Sequence, residues 1–371
     1  MSITKSPVSG AKRSLKRHAN ANTTKAFCND SEPSEFAKKQ PCRLACKRLF
    51  FFEAFSGRNG NGFLHGMTVM WIAILVIGIL AALVICVDLI DTHRLVVRTY
   101  EIGTERLRGN VKICLVSDLH EKESGKDNER LIAAVRKEQP DLVISAGDLL
   151  TAGGTMTRDR MQGALHLMRE LAAEFPVYAA HGNHEQKLWR DKEQSGGGLM
   201  RFFEETLAKD GVVLLRNAVA KEVLPGMDIY GLEVPRQVIR KEAGARYTAE
   251  EVCESIGAPD AERFSLLIGH DPAQMAAYTA WGADLVLSGH VHGGIARLPL
   301  IGGLVAPPFE LFPKYDRGLF TERSGAHTTH MVVSAGLGEH TLPLRFYNPR
   351  ELVVITLKGN TSGTGSEAAG V

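Results

Sequence analysis

The stretch VKICLVSDLH, residues 111–120, carries in ten positions the pattern on which the fold turns. Val111, Ile113, Cys114, Leu115 and Val116 form an apolar, β-branched-rich run, and the polar Asp118 and His120 follow immediately. A run of this kind predicts a strand buried on both faces, with potential ligands at its end. The same design recurs downstream. DLVISAGD (141–148) ends in Asp148 and VYAAHGNHE (177–185) in Asn183 and His184. LLIGH (266–270) then ends in His270, and LVLSGHVHGG (285–294) in His290 and His292. A ligand at a strand end is held by a rigid element while it projects into the crevice where open α/β sheets place their sites. Glycine stands beside each cluster (Gly147, Gly182, Gly269, Gly289), as tight turns and close backbone approach require.

The rest of the body follows the same alternation. LVVRTYEI (95–102) reads as a strand, separated from 111–118 by the turn-prone Arg108-Gly109-Asn110. Leu131, Ile132 and Val135 give helical spacing that Pro140 stops, and 157–174 and 199–209 also read as helices. Strands are expected between 212 and 233, at 330–336 and at 351–357. Asp271-Pro272 marks a helix start, an N-cap followed by proline at the first position. The fold class is α/β, with two packed mixed sheets flanked by helices.

Upstream the composition changes. Residues 1–66 carry twelve Lys/Arg against four Asp/Glu, whereas 88–371 carry 32 against 38. Between them Met67–Val87, MTVMWIAILVIGILAALVICV, holds no charge. As a helix it spans roughly 31 Å, the thickness of a bilayer's hydrocarbon core. The organisation expected is a disordered basic tail (1–66), a transmembrane helix (67–87), a catalytic domain (88–358) and a loose tail (359–371). Lys/Arg excess in the tail favours a cell-membrane protein of single pass with the body outside the cytoplasm. Cys28, Cys42 and Cys46 lie in the tail and Cys86 in the apolar run, so the six cysteines form no disulfide framework; Cys114 reads as core.

The ordered set Asp118-x-His120, Gly147-Asp148, Gly182-Asn183-His184-Glu185, His270 and Gly289-His290-x-His292 resembles the calcineurin-like metallophosphoesterase superfamily across roughly 94–358. Gly303–Tyr315, with Phe312-Pro313-Lys314-Tyr315, and the Gly336-Leu337-Gly338 turn are similar to its bacterial membrane-associated branch. That branch includes phosphodiesterases related to UDP-diacylglucosamine pyrophosphatases. The sequence departs from many relatives at Ile295, where Gln is common, and at Ala335, where Arg is frequent. The resemblance implies an αββα sandwich and two divalent cations. Asp118, His120, Asp148 and His292 would hold one, and Asp148, Asn183, His270 and His290 the other, with Asp148 bridging. It also implies hydrolysis of phosphodiester, phosphomonoester or pyrophosphate bonds by a metal-activated water, His184 acting as acid without being a ligand. The absence of thiolate favours manganese, with iron or zinc as alternatives.

Three alternatives share the fold: a metal-binding interaction module without turnover, a protein phosphatase and a nuclease. Intact ligand positions weigh against the first, and a body with excess acidic residues disfavours nucleic acid. The expected partners are a phosphorylated small-molecule or lipid-linked substrate and the membrane. Among other polar residues, His166 and Asp271 read as structural, and His181 as support for the neighbouring ligand. Glu185 is open between orienting His184 and shaping a turn, and Glu339-His340 have no assigned place.

Overall fold

A computed structural model describes residues 60–190, 198–240, 247–306, 310–339 and 344–360. The expected disorder of 1–59, the last eleven residues of the C-terminal tail, Phe309 and His340 lie outside the described residues.

Helix α1 (Gly60–His93) contains the charge-free run and extends it at both ends. An 18-residue window within Leu64–His93 reaches a mean hydropathy of 3.1 and is not buried against protein. The last turns of α1 meet the body through Asp88 and Asp91. The body opens with strands β1 (Leu95–Arg108), β2 (Asn110–Val116), β3 (Leu142–Ser145), β4 (Val177–Ala179) and β5 (Val213–Leu214). Next come β6 (Ala218–Leu224), β7 (Met227–Leu232), β8 (Phe264–Gly269) and β9 (Leu285–Ser288). Two short hairpins follow, β10 (Arg297–Leu298) with β11 (Gly302–Gly303), and β12 (Val305–Ala306) with β13 (Glu310–Leu311). The last strands are β14 (Gly318–Ser324), β15 (His327–Val333) and β16 (Arg350–Asn360).

Two six-stranded mixed sheets result, ordered β1-β16-β2-β3-β4-β5 and β14-β15-β9-β8-β7-β6. The turn at Arg108–Asn110 does not make a hairpin. The C-terminal β16 inserts between β1 and β2, parallel to the first and antiparallel to the second.

The apolar runs are fully buried because each strand feeds two cores. Ile113 and Leu115 enter the layer between the sheets together with Ile144, Leu266, Ile268, Leu285 and Leu287. Cys114 and Val116, with the opposite parity, face the helical layer. That layer is built from α2 (Glu129–Glu138) and α3 (Arg158–Ala172), with α4 (Asn183–Arg190) and α5 (Gly198–Lys209). On the far side Leu267 and Val286 share a core with Val238 of α6 (Arg236–Ile239), Val252 of α7 (Ala249–Ile256), and Tyr278 and Trp281 of α8 (Met275–Trp281). The period-two alternation of strands thus produces the αββα sandwich.

Candidate metal centre

Asp118, Asp148, Asn183, His270 and His290 all follow the C-terminal ends of parallel strands, β2, β3, β4, β8 and β9, which open on one crevice between the sheets. The chain turns abruptly there. Asp118, His120, Asp148, His290 and His292 all have positive φ, between 49° and 71°. Left-handed backbone is uncommon for residues with a Cβ and concentrates at functional sites. Glycine permits the remaining close approaches. A Cβ on Gly289 would sit 2.2 Å from Asp118 Oδ2, and one on Gly182 would sit 2.1 Å from Asp148 Oδ1.

The side chains converge in overlapping groups: Asp118, His120 and His292; Asp148, His270 and His290; and His120, Asp148 and His184. Within each group the potential ligand atoms lie inside 4.8 Å of one another. Asp148 is common to two of the groups. Its Oδ2 is 3.1 Å from His270 Nε2, 3.9 Å from His120 Nε2 and 4.0 Å from His184 Nε2. Asn183 Oδ1 and His290 Nδ1 meet at 2.6 Å. The structure thus brings together all eight residues singled out from the sequence.

Hydrogen bonds behind the rings fix what each offers. His270 Nδ1 faces the carbonyl of Ala146 at 2.7 Å, and His292 Nδ1 faces that of Gly338 at 3.1 Å. A carbonyl only accepts, so both Nδ1 atoms carry hydrogen, and in the neutral ring both Nε2 atoms carry lone pairs. His292 Nε2 lies 3.1 Å from His120 Nε2. His270 Nε2 is fully buried and has no aligned hydrogen bond among the described residues. Inward lone pairs backed by carbonyls are the arrangement of metal-binding imidazoles. His184 is set the other way. Its Nδ1 accepts the backbone N–H of Ala152 at 2.7 Å, so its neutral form carries hydrogen on Nε2.

The electrostatics agree with a cation site. Burial, together with neighbouring His292, holds His120 well below the ordinary imidazole range and hence neutral. With protein atoms alone, His270 is pushed up to about 10: burial opposes the charge, but Asp148 outweighs it. A cation beside the same carboxylate would reverse that balance. The donor set and the buried, unbonded Nε2 therefore fit divalent metal.

Glu185 resolves as a scaffold. Its carboxylate accepts the backbone N–H groups of Asp148 (3.0 Å), Leu150 (2.9 Å) and Gly182 (2.9 Å), joining the two turns. Burial, then the Asp148 charge, pushes it up to about 7. His181 lies between Glu233 (2.9 Å) and Glu204 (3.1 Å), behind Asn183. Asp271 caps its helix by accepting from Ala273 N, and His166 stays at the surface beside Arg169. Glu339 is taken up by Arg350, Arg345 and Lys122.

Sequence reading missed the segment 345–348. Arg345 is buried and donates to the carbonyls of Ala335, Gly336 and Gly338. The Asn348 amide donates to those of His292 (2.6 Å) and Gly294 (2.8 Å). Neither carries a periodicity or a motif, so the only available signal was polarity between apolar neighbours in PLRFYNPR.

A buried two-carboxylate, multi-histidine crevice at the strand ends of an αββα sandwich defines a metal-dependent phosphoester hydrolase. Residues 111–294 match the family described as calcineurin-like phosphoesterase, and this match, with the names of the relatives, supports the calcineurin-like metallophosphoesterase superfamily. It is similar to the uncharacterized metallophosphoesterase YkuE of Bacillus subtilis (strain 168), at 27% identity over 259 residues, covering 67% of this chain and 79% of the relative. An uncharacterized metallophosphoesterase of Aquifex aeolicus (strain VF5) is 28% identical over 274 residues, 73% of this chain and 94% of the relative. Phosphodiesterase YaeI of Escherichia coli (strain K12) is 27% identical over 209 residues, 56% and 67% of the two chains.

Proposed function

We propose that the chain is a membrane-anchored phosphoesterase acting on lipid-linked phosphodiesters or pyrophosphates. Asp118, His120, Asp148 and His292 hold one cation, Asp148, Asn183, His270 and His290 the other, and His184 donates a proton. The observation that carries this reading is the opposed tautomers: His270 and His292 turn lone pairs inward, and His184 turns an N–H inward. When bound, the two cations, manganese by preference and otherwise iron or zinc, supply a water nucleophile at neutral pH and offset charge on the phosphoryl oxygens.

The protein's own groups do the rest. The Ala152 N–H locks the His184 ring so that Nε2 presents its proton to the leaving oxygen. The His184 backbone N–H is bonded to Asp148 Oδ1 at 2.9 Å, so acid and bridging carboxylate keep a fixed spacing. Glu185 ties the two turns from behind.

Residues 67–87 form the membrane span and 88–358 the catalytic domain, outside the cytoplasm by the basic tail. The charge-free run 67–87 within α1 supports the anchor. An amphiphilic substrate suits a centre held close to the bilayer, and it is the kind of substrate that the resemblance to the UDP-diacylglucosamine pyrophosphatase-like branch implies. The test is a panel of long-chain and water-soluble phosphodiesters, pyrophosphates and phosphomonoesters, assayed with manganese and after chelation. Turnover confined to soluble monoesters would remove the lipid-linked reading.

A further inference from the structure

The end of α1 is bonded into the body. Asp88 Oδ1 accepts the Arg345 backbone N–H at 2.6 Å, and Asp91 Oδ2 accepts that of Asn348 at 3.0 Å. The segment between them is bonded in turn to the β10–β11 hairpin. Arg297 N donates to Phe346 O at 3.0 Å, and Ala296 bridges Phe346. The hairpin therefore lies within two bonded steps of the helix end, where the bilayer surface falls under the anchor reading.

Its tip is unusually apolar for a surface. Leu300 is fully exposed, Ile301 is 62% exposed and Tyr347 50%. The neighbouring hairpin contributes exposed Leu311 and Phe312. Contiguous exposed apolar side chains of this kind mark contact surfaces. Behind the tip lies a cavity of about 440 Å³ lined by Leu300, Ile301, Tyr347, Arg297, Arg317 and Asp316, among others.

Positive charge is in surplus in and beside the cavity, whose lining holds Arg297 and Arg317 against the carboxylate of Asp316. Arg297 pairs with Asp316 (2.9 Å), Arg98 pairs with the buried Glu351 (2.7 Å), and Arg317 reaches Glu351 only at 3.9 Å. Three guanidinium groups thus share two carboxylates. Burial lowers the Arg317 pKa, with Arg297 and Arg98 adding to that against Glu351. An incoming anion would relieve this repulsion, and guanidinium groups suit phosphate by geometry.

We infer that the β10–β11 tip and this cavity form a docking site for the bilayer that holds α1, with Leu300 and Ile301 entering the acyl layer and Arg297 and Arg317 taking the phosphate of an anionic phospholipid. The inference rests on the membrane anchor proposed above. The occupant is a lipid because the apolar tip and the cationic cavity are adjacent in the order in which a bilayer presents acyl chain and headgroup. Arg297 Nη1 also donates to Gly293 O at 2.5 Å, and Arg317 Nη1 to Asn348 Oδ1 at 3.3 Å. Headgroup binding is therefore connected to the residue next to His292.

The full chain is reconstituted in nanodiscs of phosphatidylcholine alone or mixed with phosphatidylglycerol, carrying an environment-sensitive dye at Leu300→Cys. The chain with Leu300 intact, treated with the same dye, corrects for labelling of native cysteines. Quencher lipids should quench the dye, and several-fold more in the mixed discs. Arg317→Gln should abolish that difference, whereas Arg317→Lys, which keeps the charge, should retain part of it. A dye that stays in water in both discs, or quenching equal in both for the native cavity, overturns the inference. Hydrolysis of a long-chain phosphodiester is followed in the same discs. Turnover with a water-exposed dye sinks the docking site alone. An anion-dependent, lipid-buried dye without turnover supports docking and sinks the amphiphilic substrate.

Discussion

The carboxylate of Asp91, on the last turn of the apolar helix, accepts the backbone N–H of Asn348 at 3.0 Å, and both residues are buried. The Asn348 amide then holds the carbonyls of His292 and Gly294. The end of the apolar helix is thereby one hydrogen-bonded residue away from the candidate metal centre.

Asp91→Ala should leave that buried N–H unsatisfied and cost about 1–3 kcal/mol of stability. It should also weaken metal binding about tenfold, as loss of support behind a ligand does. Asp91→Asn keeps an acceptor oxygen and should restore most of both. Metal titration of the three proteins checks this; equal affinity in Asp91→Ala would show that the helix end does not position His292.

His184→Ala should retain the metal and lose about 10²–10⁴-fold in kcat on esters with poor leaving groups. The loss should shrink on a nitrophenyl ester, whose leaving group needs little protonation. Loss of metal from this variant would mean that His184 is a ligand after all.

Buried His181 is pushed up to about 9: burial lowers it, but hydrogen bonds to Glu204 and Glu233 raise it further. Its pair contributes stability that is complete below the unfolded value near 6.5 and is lost as pH rises through 9. Glu233, brought down to about 2 against burial by His181 and Arg216, keeps its share above 4.5 and loses it only as pH falls through 2. Denaturant unfolding between pH 6 and about 10 should show the alkaline decline in the native chain and its absence in His181→Gln. The variant should be about 2–4 kcal/mol less stable at neutral pH, as expected when one partner of a buried pair is removed.

The sequence made the strand-end ligands legible because two local signals coincide there, an apolar run and an abrupt polar stop. It could not show the left-handed backbone at Asp118, His120, Asp148, His290 and His292, since each has a Cβ and nothing nearby advertises the strain. Nor could it show β16 between β1 and β2, because that pairing joins segments about 250 residues apart and depends on both sheets. The expectation that the strand from Val177 runs up to Asn183 went too far for a related reason. β4 stops at Ala179 and α4 starts at Asn183, where the Glu185 carboxylate binds the turn. Arg345 and Asn348 escaped notice because their partners, Asp88 and Asp91, lie 257 residues away, in the turns by which α1 runs on past the charge-free 67–87.

The central claim is that seven side chains hold two cations and an eighth, His184, holds none. Anomalous scattering from crystals of the manganese-loaded chain tests it most directly. Two peaks are expected, one among Asp118, His120 and His292 and one among Asn183, His270 and His290, with Asp148 touching both. A single peak in active protein, or a peak bonded to His184 Nε2, would contradict the account.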